Sequence, residues 1–167
     1  KGDDEKLLFA EVIFFNGLGL EHGPSLQRHL MDSEKAISLG DALRQKVPSK
    51  IIEIDGQVDP HIWMDMALWA KIVDPIVKTL AAYLPAHAET VRINGVAMRD
   101  ELFATHRRVK KILGAIPEER RFLVTSHDAF HYFTRAYLAT EAERISGNWW
   151  YRCAAPEGLS PDSMLSS

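Results

Sequence analysis

Cys153 is the single cysteine in this sequence of 167 residues, so an internal disulfide is impossible. A zinc site built on paired cysteines is excluded for the same reason, and Cys153 reads as a plain buried or half-buried thiol. Basic charge is also short: 20 lysines and arginines stand against 23 acidic residues, a net charge of −3. That argues against nucleic acid as a partner, because phosphate backbones need a basic surface, and weakly against an anionic membrane. No apolar run approaches the ~18–20 residues of a membrane span, and no signal peptide is visible. Catalytic signatures are missing too: there is no His-Glu-x-x-His helix and no glycine loop leading into Lys-Ser/Thr. Ser126-His127-Asp128 contains the residue types of a hydrolase triad, but neighbours in sequence cannot form the Ser–His–Asp hydrogen-bond chain.

What remains is a globular composition, 46% apolar and 26% charged, enough for one compact domain or two small lobes. Residues 7–10 look like the end of a helix. Glu11-Val12-Ile13-Phe14-Phe15 is a short apolar run ended by Asn16-Gly17, the pattern of a buried parallel strand. Residues 25–31 suit a helix, and residues 32–50 read as polar and irregular. Ile51-Ile52-Glu53-Ile54 suggests a second short strand, with a turn at Asp55-Gly56. Asp65 is placed to cap a helix running to about residue 84, with Pro75 as an interior kink. Its apolar face is Leu68, Trp69, Ile72, Val73, Ile76, Val77, Leu80 and Leu84, spaced at the helical period. Residues 86–116 form the longest helical stretch, roughly 45 Å at the α-helical rise; that exceeds one small lobe and points to a connector. Residues 122–125 read as a strand and 129–138 as a helix.

Seven histidines are present, and two have suggestive surroundings. His61 lies in Asp59-Pro60-His61-Ile62-Trp63-Met64-Asp65, just ahead of a helix. His127 lies between a strand and a helix, where ligands of open α/β sheets bind. A helix N-terminus disfavours imidazolium, and a metal ligand must be neutral imidazole. The expected legs of chain between them nearly cancel, to about 5 Å, so the two rings can meet. On residue chemistry alone, a histidine near a helix end reads first as a cap or surface group. His131, four residues after His127, reads as structural or as a supporting partner. Nothing singles out His22, His29, His87 or His106.

Three segments in order carry a resemblance. They are Asn16-Gly17-Leu18-Gly19-Leu20-Glu21 after the apolar strand, the Asp59–Asp65 segment, and Leu123-Val124-Thr125-Ser126-His127-Asp128-Ala129-Phe130-His131-Tyr132-Phe133. Together they resemble the zinc, manganese and iron receptors of ABC importers, the TroA-like (cluster A-I) solute-binding proteins. Phe133-Thr134-Arg135-Ala136-Tyr137-Leu138-Ala139-Thr140 and Pro156-Glu157-Gly158-Leu159-Ser160-Pro161 are similar to the chlamydial branch of that family.

The resemblance implies an α/β fold: two lobes with parallel sheets and flanking helices, joined by one long rigid helix. Residues 1–85 would belong to the N-terminal lobe, 86–116 to the connecting helix and 117–167 to the C-terminal lobe. It implies a non-enzymatic, periplasmic or extracytoplasmic receptor that captures a divalent ion (Zn, Mn or Fe) and delivers it to an ABC-transporter permease, with no organic cofactor. His61 and His127 match two of the family's metal ligands. The other two ligands match nothing here and are expected before Lys1 and after Ser167. On that expectation both ends of the complete protein lie outside this chain, and exposed strand edges would favour self-association. Two alternatives remain: a metal- or His-dependent enzyme, for which Asp65 and Asp128 are the acids at hand although both read as helix caps, and an adhesion or interaction module.

Overall fold

The computed structural model describes residues 2–156. The segment 157–161, which carries part of the chlamydial resemblance, lies outside the described residues, as does the end of the expected 117–167 lobe. In chain order the elements are α1 (Gly2–Phe9), β1 (Ile13–Phe15), α2 (Pro24–Asp32), β2 (Ala36–Ser38), α3 (Leu39–Lys46), β3 (Glu53–Ile54), β4 (Gln57–Val58), α4 (Met66–Trp69), α5 (Val73–Tyr83), α6 (Ala88–Gly114), β5 (Leu123–Val124), α7 (His131–Phe133), α8 (Glu141–Ser146) and β6 (Cys153–Ala154). They make an α/β fold, rich in helix, whose described strands pair in short two-stranded sheets. Two compact units result. The first takes in residues up to Pro60 together with Ile72–Gly95; the second takes in His61–Lys71 and residues from Val96 onward.

In the first unit, β1 and β2 are parallel, with Ile13 opposite Ala36 and Phe15 opposite Ser38. The expectation of an irregular stretch over 32–50 is thereby corrected: it contains β2 and α3. A three-residue strand is too short for its side-chain alternation to register, and polar residues hide a helix whose buried contacts are Leu39, Gly40 and Leu43. The Ser38 hydroxyl caps α3 by accepting the Asp41 N–H at 3.3 Å, a Ser-x-x-Asp signal visible in the sequence. The loop after β1 lies against this helix start. Gly17, Leu18 and Gly19 all have positive φ, and the Glu21 carboxylate holds the loop by accepting from the N–H groups of Asn16 (2.9 Å) and Gly17 (3.0 Å). The Gly40 N–H donates to the Asn16 carbonyl at 2.7 Å. A Cβ on Gly17 would stand 1.8 Å from Ser38 Oγ, and one on Gly40 2.5 Å from the Asn16 carbonyl oxygen.

The short strand expected over 51–54 is β3, paired with β4 in an antiparallel hairpin. Asp55 (φ 51) and Gly56 (φ 78) turn it, both left-handed as a type I′ hairpin turn requires. The helix expected over 65–84 is broken into α4, a 3-10 turn at Ala70–Ile72, and α5. Pro75 explains the break. It is the third residue of α5, it cannot donate to the Lys71 carbonyl, and its ring crowds that group, so the preceding turn tightens. Gly95 brings α6 close to α5: a Cβ there would stand 2.2 Å from Val77 Cγ2.

The 27 residues of α6 span about 40 Å. They are half-buried or exposed, and its apolar residues Met98 and Ile112 are among the exposed ones. In the second unit, β5 and β6 pair in parallel, Leu123 opposite Cys153. Cys153 is half-buried, and burial pushes its thiol up. The helix expected over 129–138 is α7 continuing into a π-helix, Thr134–Leu138, closed by the Ala139 N–H donating to the Thr134 carbonyl at 3.0 Å. Helix α8 opens with a capping box between Thr140 and Glu143.

Arg152 is almost wholly buried. Its Nε and Nη2 donate to the two Glu143 carboxylate oxygens at 2.6 and 2.7 Å, while Nη1 donates to the carbonyls of Glu118 (2.7 Å) and Arg121 (3.2 Å). The Tyr151 hydroxyl also donates to Glu143. Chiefly through the Arg152 hydrogen bonds, the Glu143 carboxyl is held down to about 2.

Two outcomes follow for stability. Because the folded Glu143 carboxyl titrates below its ordinary value, its contribution is fully present above about pH 4.5 and is lost as pH falls toward about 2. Urea unfolding should therefore show an acid-dependent loss of a few kcal/mol in that window. Glu143→Gln should remove this dependence and cost about 3–5 kcal/mol at neutral pH by stranding Arg152. Separately, Gly17→Ala should cost about 2–4 kcal/mol from left-handed strain plus collision with Ser38. Gly19→Ala, where among the described residues nothing lies within 4 Å of the added Cβ, should cost about 1 kcal/mol.

Candidate metal centre

His61 follows Pro60, whose carbonyl accepts from the Asn16 side-chain amide at 3.0 Å within the first unit. It then opens a 3-10 turn, Ile62–Met64, in the second unit. The Met64 N–H donates to the His61 carbonyl at 3.1 Å, and the Asp65 N–H to that of Ile62 at 3.3 Å. Ile62 anchors the turn; it and Tyr132 of α7 are both 0% exposed, and α7 packs on the turn. Asp65 caps α4 as expected, Oδ1 accepting from the N–H groups of Ala67 (3.0 Å) and Leu68 (3.3 Å).

His127 sits in the loop between β5 and α7. The Thr125 N–H donates to the Ala154 carbonyl at 3.0 Å, so the loop leaves directly from the sheet. Thr125 Oγ1 accepts from the His127 N–H at 3.3 Å, and the Ala129 N–H donates to the His127 carbonyl at 2.9 Å. With Ala129 buried, the loop is pinned on both sides while the His127 side chain stays exposed.

The second unit brings the two imidazoles together: their centroids are 5.3 Å apart, with planes at 84°. Trp63 stands edge-on to His61, 5.2 Å between centroids. Among the described residues no group of three or more His, Cys, Asp and Glu side chains is placed to hold an ion. His22, His29 and His87 belong to the first unit. His131 pairs with Asp128, Nε2 to Oδ1 at 3.3 Å, and faces Trp149. The expectation that Asp128 caps a helix is corrected: the N-cap position of α7 is Phe130, without a side-chain cap. Asp128 leans on His131 because the chain makes a tight turn at residues 127–129 before the helix starts.

His106 and Tyr137 escape notice in the sequence. His106 Nδ1 lies 3.1 Å from the Tyr137 hydroxyl and 3.5 Å from Asp65 Oδ1. Tyr137 Oη accepts from the Met66 N–H at 3.1 Å. Burial pushes Tyr137 up to about 12 and lowers His106 against the opposing charge of Asp65. His106 falls on the face of α6 toward Tyr137, but a lone histidine among charged neighbours gives no sequence signal.

The description "zinc-uptake complex component A, periplasmic" belongs to the family model that matches residues 2–148. The metal-binding protein YtgA of Chlamydia muridarum is 43% identical over 166 residues, covering 99% of this chain and 51% of that protein. The manganese-binding lipoprotein MntA of Bacillus subtilis is 31% identical over 166 residues, covering 98% and 49%. The crystal structure of Fe(III)-bound YtgA from Chlamydia trachomatis matches with a TM-score of 0.90 at 42% identity, over 97% of this chain and 57% of that one. The chain spans about half the length of the curated relatives it matches. Identity at this level along nearly the whole chain, on a shared fold, places it in the periplasmic zinc-uptake component A (ZnuA) family of metal-binding solute-binding proteins, with clear likeness to chlamydial members.

Proposed function

We propose that this chain carries part of the ion site of a metal receptor serving an ABC importer, and that His61 and His127 are two ligands of the transported ion. The 5.3 Å separation of their ring centroids is the observation that supports this reading. With a metal–nitrogen bond of ~2.0–2.1 Å, each ring centre stands roughly 3 Å from a shared ion, which puts the two centres about 5 Å apart at a tetrahedral angle. Trp63 covers another side of His61. A closed site asks for about four donors, so further ligands complete the set.

Imidazole serves zinc and iron well, and added carboxylates shift preference toward manganese or iron. The names of the relatives span zinc, manganese and Fe(III). The cargo is therefore a transition-metal ion, with trivalent iron joining the divalent ions expected from the motifs. Two lobes joined by α6, a periplasmic setting and a membrane permease as the receiving partner complete the reading. Among the described residues no helix is long and apolar enough to cross a membrane. The exposed apolar residues Val124 and Ile145 support self-association of this chain on its own. Enzyme chemistry would need a spare acid or base beside the pair, and Asp65 and Asp128 are both engaged.

Isothermal titration with Zn²⁺ provides the test. His61→Ala and His127→Ala should each weaken binding at least tenfold, while His87→Ala, on an exposed residue of the first unit, should leave it unchanged. Unaltered affinity in both site variants would end this assignment.

A further inference from the structure

We infer that His106 and Tyr137 are positioning residues for the turn that carries His61, with Tyr137 as the bridge and His106 as the acceptor that orients it. This rests on the reading of His61 as an ion ligand. The first N–H groups of α4 are each satisfied. Ala67 and Leu68 donate to the Asp65 carboxylate, Trp69 donates to the Asp65 carbonyl, and Met66 donates to the Tyr137 hydroxyl. A helix start ordinarily leaves such donors to caps or water. Here the foremost one is bonded to a side chain from the π-helix, 71 residues away in sequence.

A phenol has one proton, and Tyr137 keeps its own because burial pushes it up to about 12. Its oxygen receives the Met66 N–H, so its proton points to the other neighbour, His106 Nδ1 at 3.1 Å. His106 must then be neutral, with its ring proton on Nε2. Burial works toward that state, as do the nearby Lys110, Arg107 and Arg144, against Asp65 alone. Asp65 Oδ1, at 3.5 Å from His106, is already taken up with capping α4. The bridge reaches His61 through a short bonded unit: Met66 adjoins Asp65, whose N–H closes on Ile62, while the Met64 N–H closes on His61 itself. Shifting Met66 therefore shifts the turn and the imidazole at its start.

The test combines Zn²⁺ titration of the 167-residue chain with ¹⁵N NMR of the His106 ring. Tyr137→Phe, which keeps the ring volume, and His106→Leu should each weaken Zn²⁺ binding roughly tenfold, as loss of an outer partner of a metal site does. The double variant should be no worse than either single, because both break one chain of bonds. His106→Asn should recover part of the loss, since its amide oxygen can accept from Tyr137. The ring spectrum should show Nδ1 unprotonated. Variants that lose thermal stability while binding Zn²⁺ as the parent does, losses that add in the double variant, or a proton on Nδ1 would each overturn the inference. His61→Ala, titrated alongside, separates the two readings: if it binds Zn²⁺ as tightly as the parent, the assignment of His61 as a ligand fails and takes this inference with it, whereas weakened binding there with unaltered binding in Tyr137→Phe and His106→Leu defeats the inference alone.

Discussion

A guanidinium withdrawn from water has to find both a counter-charge and enough acceptors for its donors, or it costs several kcal/mol. Arg152 finds them in the Glu143 carboxylate and the carbonyls of Glu118 and Arg121. The pair is hydrogen-bonded on two parallel lines, the geometry in which such pairs are strongest. Its partners come from the turn before β5 and from the first turn of α8, and Arg152 itself immediately precedes β6. Since β6 is all that β5 pairs with among the described residues, and the His127 loop departs from that pairing at Thr125, the location of His127 traces back to this buried charge. Glu143 also serves the capping box of α8. One carboxylate thus closes a helix end and neutralises a core cation.

His61 is located by different means. Its turn depends on a fully buried Ile62 and on Asp65 acting as cap, and both are local to the segment that bears it. One candidate ligand therefore rests on electrostatics routed through a small sheet. The other rests on apolar anchoring and helix capping.

Much of this was legible in the residues. The apolar run before Asn16-Gly17, the cap at Asp65 and the strand ending before His127 follow local rules of burial and capping, whereas the rise per residue shows only that the two histidines can meet. Elements too short or too polar for those rules escaped. β2 spans three residues, and α3 hides its buried face of Leu39 and Leu43 among charges, although Ser38-x-x-Asp41 announces its start. Pro75 marks a disturbance in the sequence, but the place where the helix gives way, one turn earlier at Ala70–Ile72, depends on which carbonyl the ring crowds. The Thr140-x-x-Glu143 capping box was equally visible in the sequence, whereas its coupling to Arg152 required tertiary contact. His106 and Tyr137, 31 residues apart, could not be paired from spacing at all.

The π-turn at Thr134–Leu138 gives the second unit a particular exposure to insertions and deletions. A π-turn holds one residue more than the α-turn it replaces, so losing a residue from within it would let the backbone relax to ordinary α geometry at little cost in hydrogen bonds. One turn of either kind closes one revolution, so the residues beyond such a deletion would keep their facing, and only those within the turn would shift. A residue added to the regular helix on either side has no such outlet and would rotate everything beyond it by about 100° around the helix axis. The segment can thus shed a residue with its flanks still aligned but cannot gain one, so an insertion here would act as a change of geometry at a distance.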